Sequence, residues 1–328
     1  MTSKATKYDF SAFVHEGLDG WLFLRGGTNF VTSLYSRDSG HLPDAKIALW
    51  KILIEHRAAR CKALGIECAH LIVPDKLTIY GDKQSEPLVD PELAPAIRLA
   101  ELLQSSPASA SYLDLVGPMR AQRRMCDVYW RTDSHWSPEG CHLAYRALCE
   151  RLKLDPEEDL LDRPHETFSA PMDLGGRVDP MKWETVRKYN FAEKARRVWI
   201  NRVTRYLEDP VYQEEIHVGA RSRFHNPNAR NQKSVLIVGD SYARPGSDSL
   251  TGMLAETVRT LEFVWSSEID WRMVKRTRPD ILIVEVAERF LTLLPKDRRA
   301  MWFLELRQIA RAHRRRRENA GVPKTNEP

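Results

Sequence analysis

The sequence predicts an α/β fold, a three-layer α/β/α sandwich built on a mainly parallel sheet and carrying one insertion. Three observations point there. The run Val235-Leu236-Ile237-Val238, closed by Gly239, is apolar at successive positions and rich in β-branched residues, which reads as a central strand of a parallel sheet covered on both faces. Similar buried runs stand at His70 to Val73 and at Ile281 to Val286. Segments of helical period separate them, giving the alternation of βαβ units.

The elements follow in order. Asp44 to Leu64 predicts an amphipathic helix with Ile47, Leu49, Trp50, Leu53 and Ile54 facing inward, ending before Gly65. After the strand at His70 to Val73 come a helix near Pro91 to Gln104 and a strand at Tyr112 to Val116. Ser137 is a good N-cap and Pro138 fits the first helical position, so a helix starts there, with Leu143, Ala147, Leu148 and Leu152 as its stripe. Residues 155–232 mix aromatics and cations without sustained period, among them Trp183, Tyr189, Trp199, Arg202, Tyr212 and Arg223. A structureless loop of that length is improbable in a compact domain, so the stretch reads as an insertion or cap forming one wall of a cleft. Its aromatic faces and Arg and Asn donors suit a sugar-binding groove, and would serve equally to cover the sheet. Beyond it, a helix begins near Pro245 to Leu250, strands follow at Thr260 to Trp265 and Ile281 to Val286, and a last helix from Lys296 to Arg317 packs Trp302, Leu306 and Ile309 inward. The whole chain, 1–328, reads as one domain with a basic C-terminal helix and tail at 296–328.

With 328 residues, 42% of them hydrophobic, the chain can bury a large core. Its 50 basic and 45 acidic residues are interspersed, so the net charge of +5 suits an anionic polysaccharide or ordinary solubility alike. The cluster Arg311 to Arg317 could attract phosphates, but it also suits the solvated C-terminal end of a helix, where positive charge complements the macrodipole. No window approaches the roughly 18 apolar residues of a membrane span, and Met1 to Phe10 lacks a basic segment followed by an apolar one. As written, the chain is expected in the cytoplasm. Five cysteines, an odd number without CxxC spacing, argue for reduced, buried thiols over a disulfide framework or zinc site.

The chemistry gathers in two stretches. In Thr132-Asp133-Ser134-His135-Trp136, a carboxylate and an imidazole stand two residues apart, and in extended backbone such residues project to the same side. Asp133 can then accept the ring N–H of His135 and hold one tautomer, leaving the other nitrogen as a base. In Gly239-Asp240-Ser241-Tyr242, the serine lies just past the carboxyl end of the central strand, where such sheets bind ligands. A hydroxyl is a weak nucleophile unless a base takes its proton, and His135 backed by Asp133 supplies one. The bland alternative makes Asp133 a turn former, His135 a packing residue and Ser241 a strand-end hydroxyl. A metal set of Asp133, His135, His142 and Asp240 is disfavoured, because metal-binding helices carry their histidines four apart and His142 lies seven beyond His135.

These motifs, with Gly17-Leu18-Asp19-Gly20-Trp21-Leu22-Phe23 ahead of them and Glu288-Arg289-Phe290-Leu291 behind, resemble the SGNH-hydrolase-like polysaccharide O-acetyltransferases of the AlgX and AlgJ type, alginate acetylation proteins. They occur in family order across residues 17–291, with the Asp/His block before the serine block, the permuted arrangement of this group. The resemblance implies Ser241 as nucleophile, His135 as base and Asp133 as orienting acid. It also implies a polysaccharide or sugar acceptor, an acetyl donor, contact with other polysaccharide-biosynthesis proteins, and a periplasmic location. Nothing calls for a cofactor, a metal or nucleic acid. Met172-Asp173-Leu174-Gly175-Gly176 is similar to the family's D-L-G segment, and Pro74-Asp75-Lys76 to a loop that borders its cleft. An oxyanion hole is required, with the Ser241 N–H as one donor and Tyr242, Arg244 or the Gly175-Gly176 backbone as candidates for the second. Trp136, Lys76 and Tyr80 are candidate substrate contacts. The expected function is O-acetyl transfer to a sugar hydroxyl through an acetyl-enzyme. The alternatives are an acetylesterase using water with the same triad, and a non-catalytic polysaccharide-binding or assembly protein.

Overall fold

The computed structural model describes residues 13–26, 30–37, 42–209 and 216–320. Met1 to Phe10, Tyr212 and Gly321 to Pro328 lie outside the described residues. A short antiparallel pair, β1 (Val14–Glu16) and β2 (Leu22–Leu24), precedes α1 (Asp44–Ala63) and β3 (Glu67–Val73). There follow α2 (Lys76–Ile79), α3 (Pro95–Gln104), β4 (Tyr112–Leu113), α4 (Val116–Gln122) and α5 (Pro138–Arg151). The middle of the chain holds β5 (His165–Ala170), α6 (Met172–Gly175), β6 (Glu184–Tyr189), β7 (Arg196–Ile200), α7 (Arg202–Glu208) and β8 (Arg221–His225). The last part holds β9 (Asn231–Gly239), α8 (Leu250–Thr257), β10 (Val258–Trp265), α9 (Trp271–Thr277), β11 (Ile281–Ala287) and α10 (Met301–Ala320).

The main sheet has the order β4-β3-β11-β9-β10-β8-β7. Its first five strands run parallel, and β8 and β7 extend it antiparallel at the far edge. Every residue of β11 is buried, as are Val235 to Gly239 of β9, so both faces of the central strands are covered, as the apolar runs require. α1 packs with α3 and against β3, while α5 packs with α8, which lies on β10. The sandwich with a mainly parallel sheet is therefore the observed architecture. Within 155–232 the structure adds detail: β5 and β6 form a separate hairpin, whereas β7 and β8 belong to the main sheet.

Several element readings change. The strand expected at 112–116 stops at Leu113, because the Asp114 carboxylate accepts from the Val116 N–H at 3.0 Å and starts α4. The helix expected from Pro91 begins at Pro95, after a single 3₁₀ turn at Pro91–Leu93. On α1, Leu49 is exposed and the inner face continues instead through Arg57 and Cys61. On α10, Trp302 and Leu306 face solvent, while Met301, Leu304, Ile309 and Ala312 are buried.

Candidate active site

The loop between α4 and α5 is a narrow return: Tyr129 bridges Trp136, and the Ser137 N–H donates to the Val128 carbonyl at 3.0 Å. Ser137 caps α5 as expected, its hydroxyl accepting from the Gly140 N–H at 3.2 Å and donating to the Asp127 carbonyl at 2.7 Å. Gly140 is needed for this closure, since a Cβ there would sit 2.1 Å from the Val128 carbonyl oxygen.

At the tip of this return, Asp133 Oδ1 lies 2.7 Å from His135 Nδ1 and also accepts the His135 backbone N–H at 2.8 Å. His135 Nε2 lies 2.8 Å from Ser241 Oγ. The three expected residues thus form one continuous line, with Asp133 buried and Ser241 among the residues that line a cleft of about 300 Å³. Burial resists ionisation of Asp133. The His135 ring, its two hydrogen bonds and Arg244 outweigh that and hold the carboxyl well below the usual range.

Packing fixes both halves of the line. On the histidine side, Asp173 accepts from the Ser134 N–H at 2.7 Å and from its hydroxyl at 2.6 Å. On the serine side, Asp240 accepts from the Ala287 N–H at 2.7 Å and the Tyr242 N–H at 3.1 Å, which ties the turn to the end of β11. Tyr242 joins the two: its hydroxyl donates to the Ser134 carbonyl at 2.8 Å, and its ring leans on His135 with centroids 4.9 Å apart. Behind it, Arg289 donates to the Tyr242 oxygen at 3.2 Å and to Asp75 at 3.0 Å, all within the protein interior.

The other expected site residues divide. Trp136 and Arg244 line the cleft with Trp130, Phe168 and Arg187. Arg244 has a positive φ of 53° and turns its Nε to the Ser241 carbonyl at 3.2 Å. A non-glycine residue held there marks a site where surrounding structure imposes the backbone. The Ser241 N–H has no acceptor among the described residues. The Gly175 N–H, in contrast, donates to the Thr132 carbonyl at 3.0 Å and the Gly176 N–H to the Met172 carbonyl at 3.4 Å, so neither is available as an oxyanion donor. The Tyr242 N–H is likewise engaged by Asp240. Gly175 is a packing glycine: a Cβ would lie 2.2 Å from the Lys182 carbonyl oxygen. Lys76 is buried away from the cleft lining, its ammonium donating to the Leu22 carbonyl at 2.7 Å and the Arg131 carbonyl at 3.0 Å. Burial pulls its pKa down to about 8. Tyr80 is also buried, stacked on Trp21 at 3.9 Å and accepting from the Val128 N–H at 3.0 Å. His142 stands beside Tyr145, and Asp240 is spent on backbone donors, so the four-residue metal set is not assembled. Asp133, His135 and Asp173 do approach one another, with donor atoms within 4.8 Å, but each carboxylate already holds the partners named above.

Sequence reasoning missed Asp173 as a clamp and Asp75 and Arg289 as the layer beneath. The signal was present: all three lie in segments singled out by motif, yet the partners that give them work come from other parts of the chain.

A serine, histidine and aspartate in line at the carboxyl edge of a parallel sheet is the arrangement of SGNH-type and related acyl-transfer folds. The chain belongs to the family described as "SGNH hydrolase-like domain, acetyltransferase AlgX", whose model matches residues 14–260. Among relatives, a probable alginate O-acetylase AlgJ of Pseudomonas syringae pv. tomato is 24% identical over 254 residues, 69% of this chain and 58% of that protein. Another, from Pseudomonas fluorescens, is 31% identical over 106 residues, 30% of this chain and 25% of that protein. The chain therefore spans less than two thirds of the length of either. In fold, it is similar to Bacillus cereus PatB1, with a TM-score of 0.58 at 13% identity, covering 83% of this chain and 95% of that one. It is also similar to the O-acetyltransferase domain of Pseudomonas putida AlgJ, with a TM-score of 0.52 at 18% identity, covering 90% and 99%.

Proposed function

We propose that this protein is an O-acetyltransferase that moves an acetyl group to hydroxyls of a polysaccharide, using Ser241, His135 and Asp133. One observation carries the reading: the unbroken line from Asp133 through His135 to Ser241, at 2.7 and 2.8 Å, opening on a cleft in a chain of this family. Ser241 Oγ attacks the carbonyl carbon of the acetyl donor while His135 Nε2 takes the hydroxyl proton. The imidazolium so formed is stabilised through Nδ1–H by Asp133. As the tetrahedral intermediate collapses, the same proton passes to the donor's leaving oxygen, and acetyl-Ser241 remains. A sugar hydroxyl then gives its proton to His135 and attacks the acetyl carbon, and the proton returns to Ser241 as its oxygen leaves. The free Ser241 N–H supports its role as one oxyanion donor, and the Arg244 guanidinium is our candidate for the other.

Residues 155–232 act in this reading as the insertion that supplies the outer wall of the cleft, through Phe168, Val186 and Arg187. The whole chain, 1–328, is read as one acetyltransferase domain that includes this stretch. The family supports alginate or a similar polymer as acceptor, and we place the protein in the periplasm with other polysaccharide-biosynthesis proteins as partners. Among the described residues, no helix is long and apolar enough to cross a membrane. The deciding assay offers an aryl acetate with and without an oligosaccharide. Acceptor-dependent sugar acetylation is the expected result. Acetate release indifferent to the acceptor would make the protein an esterase, and inertness with retained glycan binding would make it a binding protein.

A further inference from the structure

The outward face of α10 has no part in the acyl-transfer site. Trp302 is 62% exposed, Phe303 50% and Leu306 54%, and Leu293, on the segment leading into the helix, is 69% exposed. These are not the fringe of a core contact. The helix packs through Met301, Leu304, Ile309 and Ala312, the last two against Val203, Ile216 and Ala220. At 100° per residue, Trp302, Leu306 and Phe303 fall in one sector of the opposite side, and Arg314, Arg307 and Arg311 fall in the sector beside it. Lys296 and Arg298 are exposed just ahead of the helix.

Two acids of this stretch, Asp297 and Glu305, are turned elsewhere. Asp297 is taken by Arg57, at 2.7 and 2.9 Å, and Glu305 accepts from the Arg202 N–H at 3.4 Å. Arg307, Arg311 and Arg314 enter no ion pair among the described residues. The face is thus apolar and aromatic along one strip and cationic along the next.

We propose that the outer face of α10 is a peripheral docking surface for an anionic lipid bilayer. Trp302, Phe303 and Leu306 enter the boundary between headgroups and acyl chains, while Arg307, Arg311 and Arg314 meet lipid phosphates. The combination selects this partner. A polyanion without apolar groups would pair the arginines but leave Trp302 and Leu306 in water, and a second copy of the chain would set arginine against arginine. Docking by this face requires no spanning segment.

The test sediments the full chain with vesicles of phosphatidylcholine alone and of phosphatidylcholine with a third phosphatidylglycerol, at low and high salt. Binding is expected to the anionic vesicles and to weaken with salt. The combined substitution Arg307→Gln, Arg311→Gln, Arg314→Gln should weaken it on the order of 100-fold. The combined substitution Trp302→Ser, Phe303→Ser, Leu306→Ser should weaken it on the order of tenfold or more even at low salt. Both variants replace exposed side chains, so melting temperature and turnover on a soluble aryl acetate should match the parent. The proposal is overturned if the parent ignores both vesicle types or binds both equally, or if the apolar variant binds as the parent does. It is also overturned if the parent binds heparin or duplex DNA but not vesicles, or if sedimentation shows a dimer that the apolar variant dissolves.

Discussion

Replacing Asp133 by Asn separates charge from shape at the centre of the site. Oδ1 of Asp133 serves two donors, the His135 backbone N–H at 2.8 Å and the ring Nδ1 at 2.7 Å. The backbone donor cannot be reversed, so an Asn side chain keeps its carbonyl oxygen at that position. The loop keeps its shape, and the ring keeps its tautomer. What disappears is the negative charge facing the imidazolium that forms when His135 takes the Ser241 proton. Two unit charges about 4 Å apart, at an effective permittivity of about 20, interact by about 4 kcal/mol. At about 1.4 kcal/mol for each factor of ten, Asp133→Asn should lower turnover about a thousandfold. That is a smaller loss than the roughly ten-thousandfold seen where the tautomer is also inverted. Aryl acetate turnover and a thermal melt of the purified variant measure both sides of the argument, with melting expected within a few degrees of the parent. If Asp133 only forms a turn, Asn is among its best replacements and activity will drop a few-fold at most. Such an outcome in a stable variant would refute the triad. A loss of ten-thousandfold or more would instead refute the claim that the backbone N–H pins the amide.

The remaining predictions concern the nucleophile and the layer beneath it. Ser241→Ala should abolish turnover at unchanged melting temperature, and intact-mass analysis after brief exposure to an activated acetyl ester should show one added acetyl on the parent alone. Tyr242→Phe deletes the oxygen between Arg289 and the Ser134 carbonyl, which should cost about 1–3 kcal/mol of stability and lower turnover several-fold. An unchanged melt would count against that bridge. Lys76→Met should depress the melting temperature and leave the KM for acceptor unchanged, whereas a raised KM would return Lys76 to the substrate site. The contribution of Glu288 to stability should also fall as pH rises from about 4.5 toward 7. Burial, then the Asp75 charge, push Glu288 up from 4.5 to about 7, against hydrogen bonds from Thr78 and the Ala96 and Asp75 N–H groups. The native state keeps this proton after the unfolded chain has released it, so its contribution is full below about 4.5 and gone above about 7. Glu285, raised by burial and by Asp240, acts in the same direction. Burial lowers His15, His70, His142 and His217, which act in the opposite direction, so the test compares the parent with Glu288→Gln. The parent's melting temperature should fall relative to the variant's as pH rises from about 4.5 to 7, and a constant difference would contradict the assignment.

The alignment of Asp133, His135 and Ser241 was legible because it rests on local rules: residues two apart on extended backbone, and a hydroxyl at the end of an apolar run. The parallel core was legible for the same reason, since strands buried on both faces cannot hide their composition. Elsewhere local pattern and tertiary use part company. In β7, Arg196, Arg197 and Trp199 are exposed and the pairing with β8 is irregular between Arg197 and Trp199, so no clean alternation announces the strand. In α10, two stripes overlap, and the bulkier one, with Trp302 and Leu306, faces solvent. Size and hydrophobicity pointed to the wrong side. Lys76 looked like a cleft cation because Pro74-Asp75-Lys76 resembles a loop that borders the family's cleft. Nothing near it in sequence shows that the Leu22 and Arg131 carbonyls, 54 and 55 residues away, converge on its ammonium.

The hydrogen bond from His135 to Ser241 is better understood as a result of packing than as a cause of it. One such bond contributes only about 1 kcal/mol net, too little to align two segments separated by 106 residues. The alignment comes from contacts on either side. β9 and β11 hold the serine turn through Asp240, and Asp173 holds the histidine loop through Ser134. Tyr242, next to Ser241, bonds the backbone next to His135, so any drift of one segment pulls the other. Arg289 and Asp75 beneath it form a buried ion pair, which is a weak source of stability once desolvation is counted. Its effect is geometric: with Arg289 donating to the Tyr242 oxygen, the hydroxyl hydrogen is directed to Ser134, and the bridge has one orientation. Gly140 and Gly175 complete the frame by letting backbone pass where a Cβ would collide with a carbonyl oxygen. The three groups to which the proposed chemistry is assigned are therefore in register without a donor, which is the condition under which preorganised charge and orientation can lower a barrier.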